Sequence, residues 1–130
     1  MLESFSVTTQ HPLLILASNS PRRRQLLALA DWMFNVIVAD VDESTRANET
    51  PAEYVLRLAE TKARTITAHA DQIILAADTT VVEGNDILGK PQDHVEAFAM
   101  LTRLRGRTHQ VYTGVALLRL SDGLLLKELS

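Results

Sequence analysis

The sequence contains no cysteine, which excludes disulfides and thiolate-held metals and fits a reducing compartment. No apolar run approaches the length of a membrane span. Residues Met1 to Gln10 lack the basic start and apolar core of a signal peptide. Neither a Walker A loop nor a GxGxxG fingerprint occurs anywhere in the chain. Basic excess is missing too: the formal net charge is -3, against the basic surface that non-specific nucleic-acid binding needs. The histidines His11, His69, His94 and His109 show no metal-ligand spacing. These absences leave a cytoplasmic, soluble protein with neither membrane nor nucleic acid among its partners; a homodimer is compatible with the sequence.

What is present suits one compact domain. A chain of 130 residues supports a single core and is too short for two ordinary ones. The hydrophobic fraction of 46% and charged fraction of 22% are those of a globular protein. Residues 1–12 read as an arm and 13–130 as the domain. Leu13 to Ala17 is a wholly apolar run, the pattern of a strand buried on both faces. Ser20 offers an N-cap and Pro21 the preferred first helical position, so a helix is predicted from Pro21 to about Ala30. Phe34 to Ala39 reads as a strand and Asp40 to Glu49 as a polar loop. Thr50-Pro51-Ala52-Glu53 is a capping box that opens a helix to about His69. Ile73 to Ala77 is a buried-type strand that continues through Val82. Gly84-Asn85 then turns the chain into a short partner ending at Leu88. A third helix starts at Asp93 to Glu96 and is closed by Gly106. Val111 to Leu120 and Leu124 to Leu129 form a hairpin around Ser121-Asp122-Gly123. The sum is an α/β fold with a mixed twisted sheet flanked by helices. Ser130 follows directly on a strand whose apolar face still needs cover, so the C-terminal part of the fold is expected to lie beyond it; an edge strand that simply stops is the competing reading.

The first helix carries an electrostatic conflict. Helix N-termini have free N–H groups and partial positive charge, so acids belong there. Arg22, Arg23 and Arg24 stand there instead. A bound anion resolves the conflict, because phosphate accepts from helix N–H groups and guanidinium forks alike. Arginines fanned into solvent around a capped helix are the competing reading. Ser18 and Ser20, placed directly after a buried strand, bring the two readings level. Asp78 follows the apolar run of the third strand, at or near the end where α/β proteins place ligands; it either serves a ligand or caps a nearby helix or turn, and Thr79 lies on the opposite strand face. Asp42 and Glu43 are acids in the preceding loop, either ligands for a hard divalent metal or a solvated turn. Lys62 falls on the apolar stripe of Val55, Leu58, Ala59, Ala63 and Ile66, so it either snorkels out or points into a site. Lys90, in Gly89-Lys90-Pro91, can present an ammonium to phosphate from a rigid loop. Arg103, Arg105 and Arg107 suit a helix C-terminus without any ligand.

Taken together, Leu16-Ala17-Ser18-Asn19-Ser20-Pro21-Arg22-Arg23, Val41-Asp42-Glu43, Glu60-Thr61-Lys62-Ala63, Ala77-Asp78-Thr79-Thr80-Val81 and Leu88-Gly89-Lys90-Pro91 resemble the Maf proteins in order and spacing. These are septum-formation-inhibitor-like nucleotide pyrophosphatases. The resemblance covers nearly all of the chain after Pro12. It implies a two-lobed fold similar to inosine triphosphatases, with a cleft for a nucleoside triphosphate cut between its α and β phosphates. It further implies a divalent metal, Mg or Mn. By the same resemblance Asp78 is the proton acceptor, and Ser18, Ser20, Arg22, Arg23, Lys62, Thr79 and Lys90 bind substrate. Glu43 and Asp78 stand at the metal. Arg22 and Thr79 place the chain with the branch acting on dTTP and UTP, where the branch acting on methylated GTP carries an aromatic residue and glutamine.

One departure is large. Family members run longer, with a second motif around Pro-x-Asp-Lys-Ala-Gly-Ala-Tyr and a specificity glutamine, and neither occurs here. The alternatives are a non-catalytic nucleotide-binding regulator of cell division and a pyrophosphatase of the methylated-GTP branch. The set Asp78, Glu43, Lys62 and Lys90 favours an enzyme, since binding alone needs no base.

Overall fold

The computed structural model describes residues 13–18, 20–31, 33–84, 86–88, 93–106 and 108–130. Its strands are β1 (Leu14–Ala17), β2 (Phe34–Val36), β3 (Ile73–Glu83), β4 (Asp86–Leu88), β5 (Gln110–Arg119) and β6 (Leu124–Leu129). Its helices are α1 (Pro21–Leu29), α2 (Pro51–Thr65) and α3 (His94–Leu104). The sheet runs β2-β1-β3-β5-β6, with β4 also paired to β3. The pairs β1–β2 and β1–β3 are parallel, and the pairs of β3 with β4, β3 with β5 and β5 with β6 are antiparallel. This is the mixed sheet flanked by helices that the sequence pattern predicts.

The long strand β3 organises the molecule. Ile74, Ala76, Asp78, Thr80 and Val82 are buried on one face, while Thr79 between them is exposed, as period-two alternation requires. The buried face carries α2, which lies across β3 and β5. Thr50 and Glu53 form the capping box, and Val55, Leu58, Ala59 and Ala63 are all fully buried. Burial of Val55 and Leu58 contributes on the order of 2 kcal/mol each. The helix comes so close to the sheet that only glycine fits beneath it. A Cβ at Gly114 would stand 2.6 Å from the backbone carbonyl carbon of Val55.

Two elements stop earlier than their sequence patterns predict. Helix α2 ends at Thr65 rather than near His69, because the β-branched run Thr65-Ile66-Thr67 disfavours helix and Ile66 turns extended into the core. Strand β2 ends at Val36 rather than Ala39. Its partner β1 ends at Ala17, and Ile37 N donating to Leu16 O at 3.0 Å is the last bond it can make. The arm 1–12 and Asn85 lie outside the described residues. None of the helices among the described residues is long and apolar enough to cross a membrane.

Candidate active site

One edge of β3 is shared by two short strands. β1 pairs with Ile73 to Ala76, and β4 pairs with Val81 to Glu83. Between them, residues 77–80 have no strand partner on that edge among the described residues. Polar backbone there must find other partners, and this notch gathers the side chains singled out above.

Alternation along β3 sends neighbouring residues to opposite faces of the notch. Asp78 points to the α2 side, where it is 4% exposed. Lys62, at 7%, reaches down from α2 and donates from Nζ to Asp78 Oδ1 at 2.8 Å. The lysine on the apolar stripe therefore points inward and does not snorkel. Glu43 Oε2 stands 3.8 Å from the same Nζ, so two carboxylates converge on one ammonium. From the other side comes Arg23. Its Nη1 donates to Ala77 O at 3.3 Å and its Nη2 to Thr79 Oγ1 at 2.9 Å. Thr79 Oγ1 is in turn 3.0 Å from Thr113 Oγ1 on β5. Asp78 occupies the middle of an eleven-residue strand, not its carboxyl end. It is β1 that ends here, which gives the same opening by a different route.

The β1–α1 turn closes the notch. Ser20 N donates to Ser18 Oγ at 3.0 Å, and Ser20 Oγ caps α1 by accepting from Arg23 N at 3.4 Å. No acidic residue lies in the first turn of α1, so its positive end carries no built-in counter-charge. Ser18, Ser20, Arg23, Val38, Ala39, Glu43 and Lys62 line a cavity of about 110 Å³. A helix N-terminus and two cations around one small cavity are groups from which phosphate oxygens can accept hydrogen bonds.

Not every candidate residue joins this cluster. Arg22 and Arg24 are exposed and make no ion pair among the described residues. Thr79, which the sequence couples to Arg22, is bonded to Arg23. Lys90 lies outside the described residues, as does Arg107. Arg103 does not serve the end of α3 alone: it bonds Glu83 at 2.5 Å and pairs with Asp86, tying α3 to the β3–β4 turn. Asp42 turns away from the cavity and accepts from Ser44 N and Oγ, which lowers its carboxyl below the ordinary range.

Glu43 and Asp78 are hard oxygen donors of the kind Mg²⁺ or Mn²⁺ takes, and a triphosphate would complete such a shell with its own oxygens. Among the described residues no group of three or more His, Cys, Asp or Glu clusters as a self-sufficient metal site. Two carboxylates alone fit a divalent cation only if ligands from outside these residues complete its shell.

Sequence patterns do not reveal Thr113, Gly114, Tyr54 or Arg57. Tyr54 donates to Glu43 O at 2.6 Å, and Arg57 bonds Glu49 and Ser44 O. Their one local signal is the i,i+3 spacing of Tyr54 and Arg57, which puts them on neighbouring turns of α2.

A family model described as "Maf-like protein" matches residues 13–128. A dTTP/UTP pyrophosphatase of Myxococcus xanthus is 58% identical over 106 residues, covering 81% of this chain and 54% of that protein. Those of Hahella chejuensis and Symbiobacterium thermophilum are 53% and 50% identical, covering 80% and 88% of this chain and 54% and 60% of the relatives. The chain thus spans somewhat over half the length of these curated relatives. Among solved structures, the nucleoside-triphosphatase / dITP/XTP pyrophosphatase of Mycobacterium abscessus superposes with a TM-score of 0.54 at 13% identity, over 90% of this chain and 70% of that one. The Staphylococcus aureus Ham1 protein gives 0.54 at 15%, over 89% and 67%. At such identities the likeness is one of fold.

Proposed function

The chain belongs to the Maf family, and from that premise we propose that it forms part of a nucleoside triphosphate pyrophosphatase acting on dTTP and UTP. The observation that carries the reading is the notch in β3, where buried Lys62 joins Asp78 and Glu43 while Arg23 enters from the opposite face. Relatives bearing that activity in their names support the choice of substrate.

In this mechanism the triphosphate lies against the N-terminus of α1. Ser18, Ser20 and Arg23 bind its oxygens, Arg22 adds positive charge from the helix start, and Lys90 is assigned to the same phosphates by the family resemblance alone. The phosphate draws Lys62, which lines the cavity, away from Asp78. The freed Asp78 oxygen accepts a proton from water as the water oxygen attacks the α-phosphorus. The bond from that phosphorus to the bridging oxygen breaks, and pyrophosphate leaves with the bond's electrons. Lys62 and Arg23 neutralise the leaving charge, so positioning and electrostatics carry most of the rate. A divalent cation held by Glu43 and Asp78 would add charge neutralisation at the phosphates. Arg22 and Thr79 contribute to the choice of base, with Thr79 held in place by Arg23 and Thr113.

The test is product analysis in ¹⁸O-labelled water with dTTP, UTP, CTP and methylated GTP, in Mg²⁺ or Mn²⁺. It is run on this chain and on the reading frame that encodes it. The expected products from dTTP and UTP are pyrophosphate and monophosphate, with the label in the monophosphate. Label in pyrophosphate means attack at the β-phosphorus, and orthophosphate as first product means a different bond; either result overturns the mechanism.

A further inference from the structure

Glu43 lies in a segment, residues 37–46, that has no helix or strand of its own. Such a loop holds a carboxylate in place only if something outside it does the holding. We propose that Tyr54 and Arg57 of α2 are positioning residues that clamp this loop and thereby set Glu43 beside Lys62; its kinetic consequence rests on the pyrophosphatase reading above.

The clamp has two arms. Tyr54 is 6% exposed, and its hydroxyl donates to the backbone carbonyl of Glu43 at 2.6 Å. Arg57 grips further along. Its Nε and Nη2 fork onto Glu49 at 2.5 and 2.8 Å, and Nη2 also donates to Ser44 O at 2.9 Å. Glu49 accepts from Arg46 N at 3.0 Å, so the fork secures residues 44, 46 and 49 at once. The guanidinium sits 5.6 Å from the Tyr54 ring centroid, which couples the two arms.

This brace differs from an ordinary surface ion pair. The Arg57 and Glu49 side chains are only 17% and 8% exposed, so solvent screens them little. A bidentate guanidinium–carboxylate fork also fixes orientation, which a lysine cannot reproduce. Neither Tyr54 nor Arg57 lines the cavity, whereas Glu43 does. Any effect they have on turnover therefore travels through the loop or through α2, and the Glu43→Gln background below separates the two routes. The same helix bears Lys62, so α2 sets both the ammonium and the carboxylate that faces it.

The experiment is a mutant cycle on pyrophosphate release, joined to amide hydrogen exchange in the loop. Tyr54→Phe keeps the buried ring and removes one hydrogen bond; Arg57→Lys keeps the charge and removes the fork. Each is expected to lower kcat about tenfold with KM changed by less than about twofold. In a Glu43→Gln background the same substitutions should have no further effect, within about twofold. Exchange at residues 42–46 should quicken about tenfold in both variants. Losses that multiply in the Glu43→Gln background, or exchange unchanged in both variants, would overturn the proposal. If Arg57→Lys does not fold, Tyr54→Phe decides alone. If the protein of the whole reading frame releases no pyrophosphate, the enzymatic reading falls but not the clamp, which the exchange result then judges.

Discussion

Lys62 is a charge almost out of water, held by Asp78 at 2.8 Å and flanked by Glu43 at 3.8 Å. Removing one member of a buried pair costs more than the pair is worth, because the survivor stays desolvated. Lys62→Met strands Asp78, so we expect a loss of about 3 kcal/mol in urea unfolding together with loss of turnover. Asp78→Asn leaves Lys62 with Glu43 nearby, so its stability loss should be smaller, while kcat falls by about 10³ if Asp78 is the base. Equal destabilisation by the two variants would show that Glu43 does not compensate the Lys62 charge once Asp78 is neutral. At this scale the sequence is informative about which residues matter. Lys62 on an apolar stripe and Asp78 beside Thr79 are legible from periods of 3.6 and 2. Their partners are not: nothing local connects Arg23 with Thr79, or Tyr54 with Glu43.

The elements bring those partners together. Helix α2 starts at a capping box visible in the sequence, and Thr50→Ala should cost about 1 kcal/mol, read as a shifted urea midpoint. The depth at which α2 sits was not visible, because Gly114 is 59 residues from Val55 in the chain and touches it only in the folded molecule. Gly114→Ala puts a methyl against backbone that cannot rotate aside, so α2 must lift. We expect about 3 kcal/mol of destabilisation, an overpacking cost. The lift should also weaken the Lys62–Asp78 contact and lower turnover more than the stability loss alone explains. A folded Gly114→Ala protein with wild-type kcat would contradict that coupling. Strand β1 likewise matters for where it stops, since its end at Ala17 opens the edge that Arg23 fills.

Across the described residues, packing is concentrated around α2, β3 and β5, whereas α1 and α3 contain no buried residue. Hydrogen exchange should be slowest in β3, β5 and α2 and markedly faster in α3. Phe98→Glu, at a site 73% exposed, should change stability by less than about 0.5 kcal/mol. Acid acts on a different feature, the fork from Arg57 to Glu49. Hydrogen bonding from Arg57 lowers the Glu49 carboxyl from 4.5 to about 2. A depressed carboxyl stabilises the fold above its unfolded pKa and loses that contribution as pH falls through the folded value. Glu49→Gln should therefore cost on the order of 1 kcal/mol at neutral pH, with the difference from wild type vanishing between about pH 4.5 and 2. A difference that persists at pH 2 would place the effect elsewhere than in the ion pair. The sequence by itself determined what short-range physics can encode: the alternation of strands and helices, the caps, the arginine-rich helix start and the charges on otherwise apolar faces. Only the tertiary structure decided that β1 and β4 share an edge of β3, that Arg23 and Lys62 meet there from opposite faces, and that α2 braces the loop of Glu43. Those contacts join residues far apart in the chain, and their energies exist only once packing has brought the residues within bonding distance.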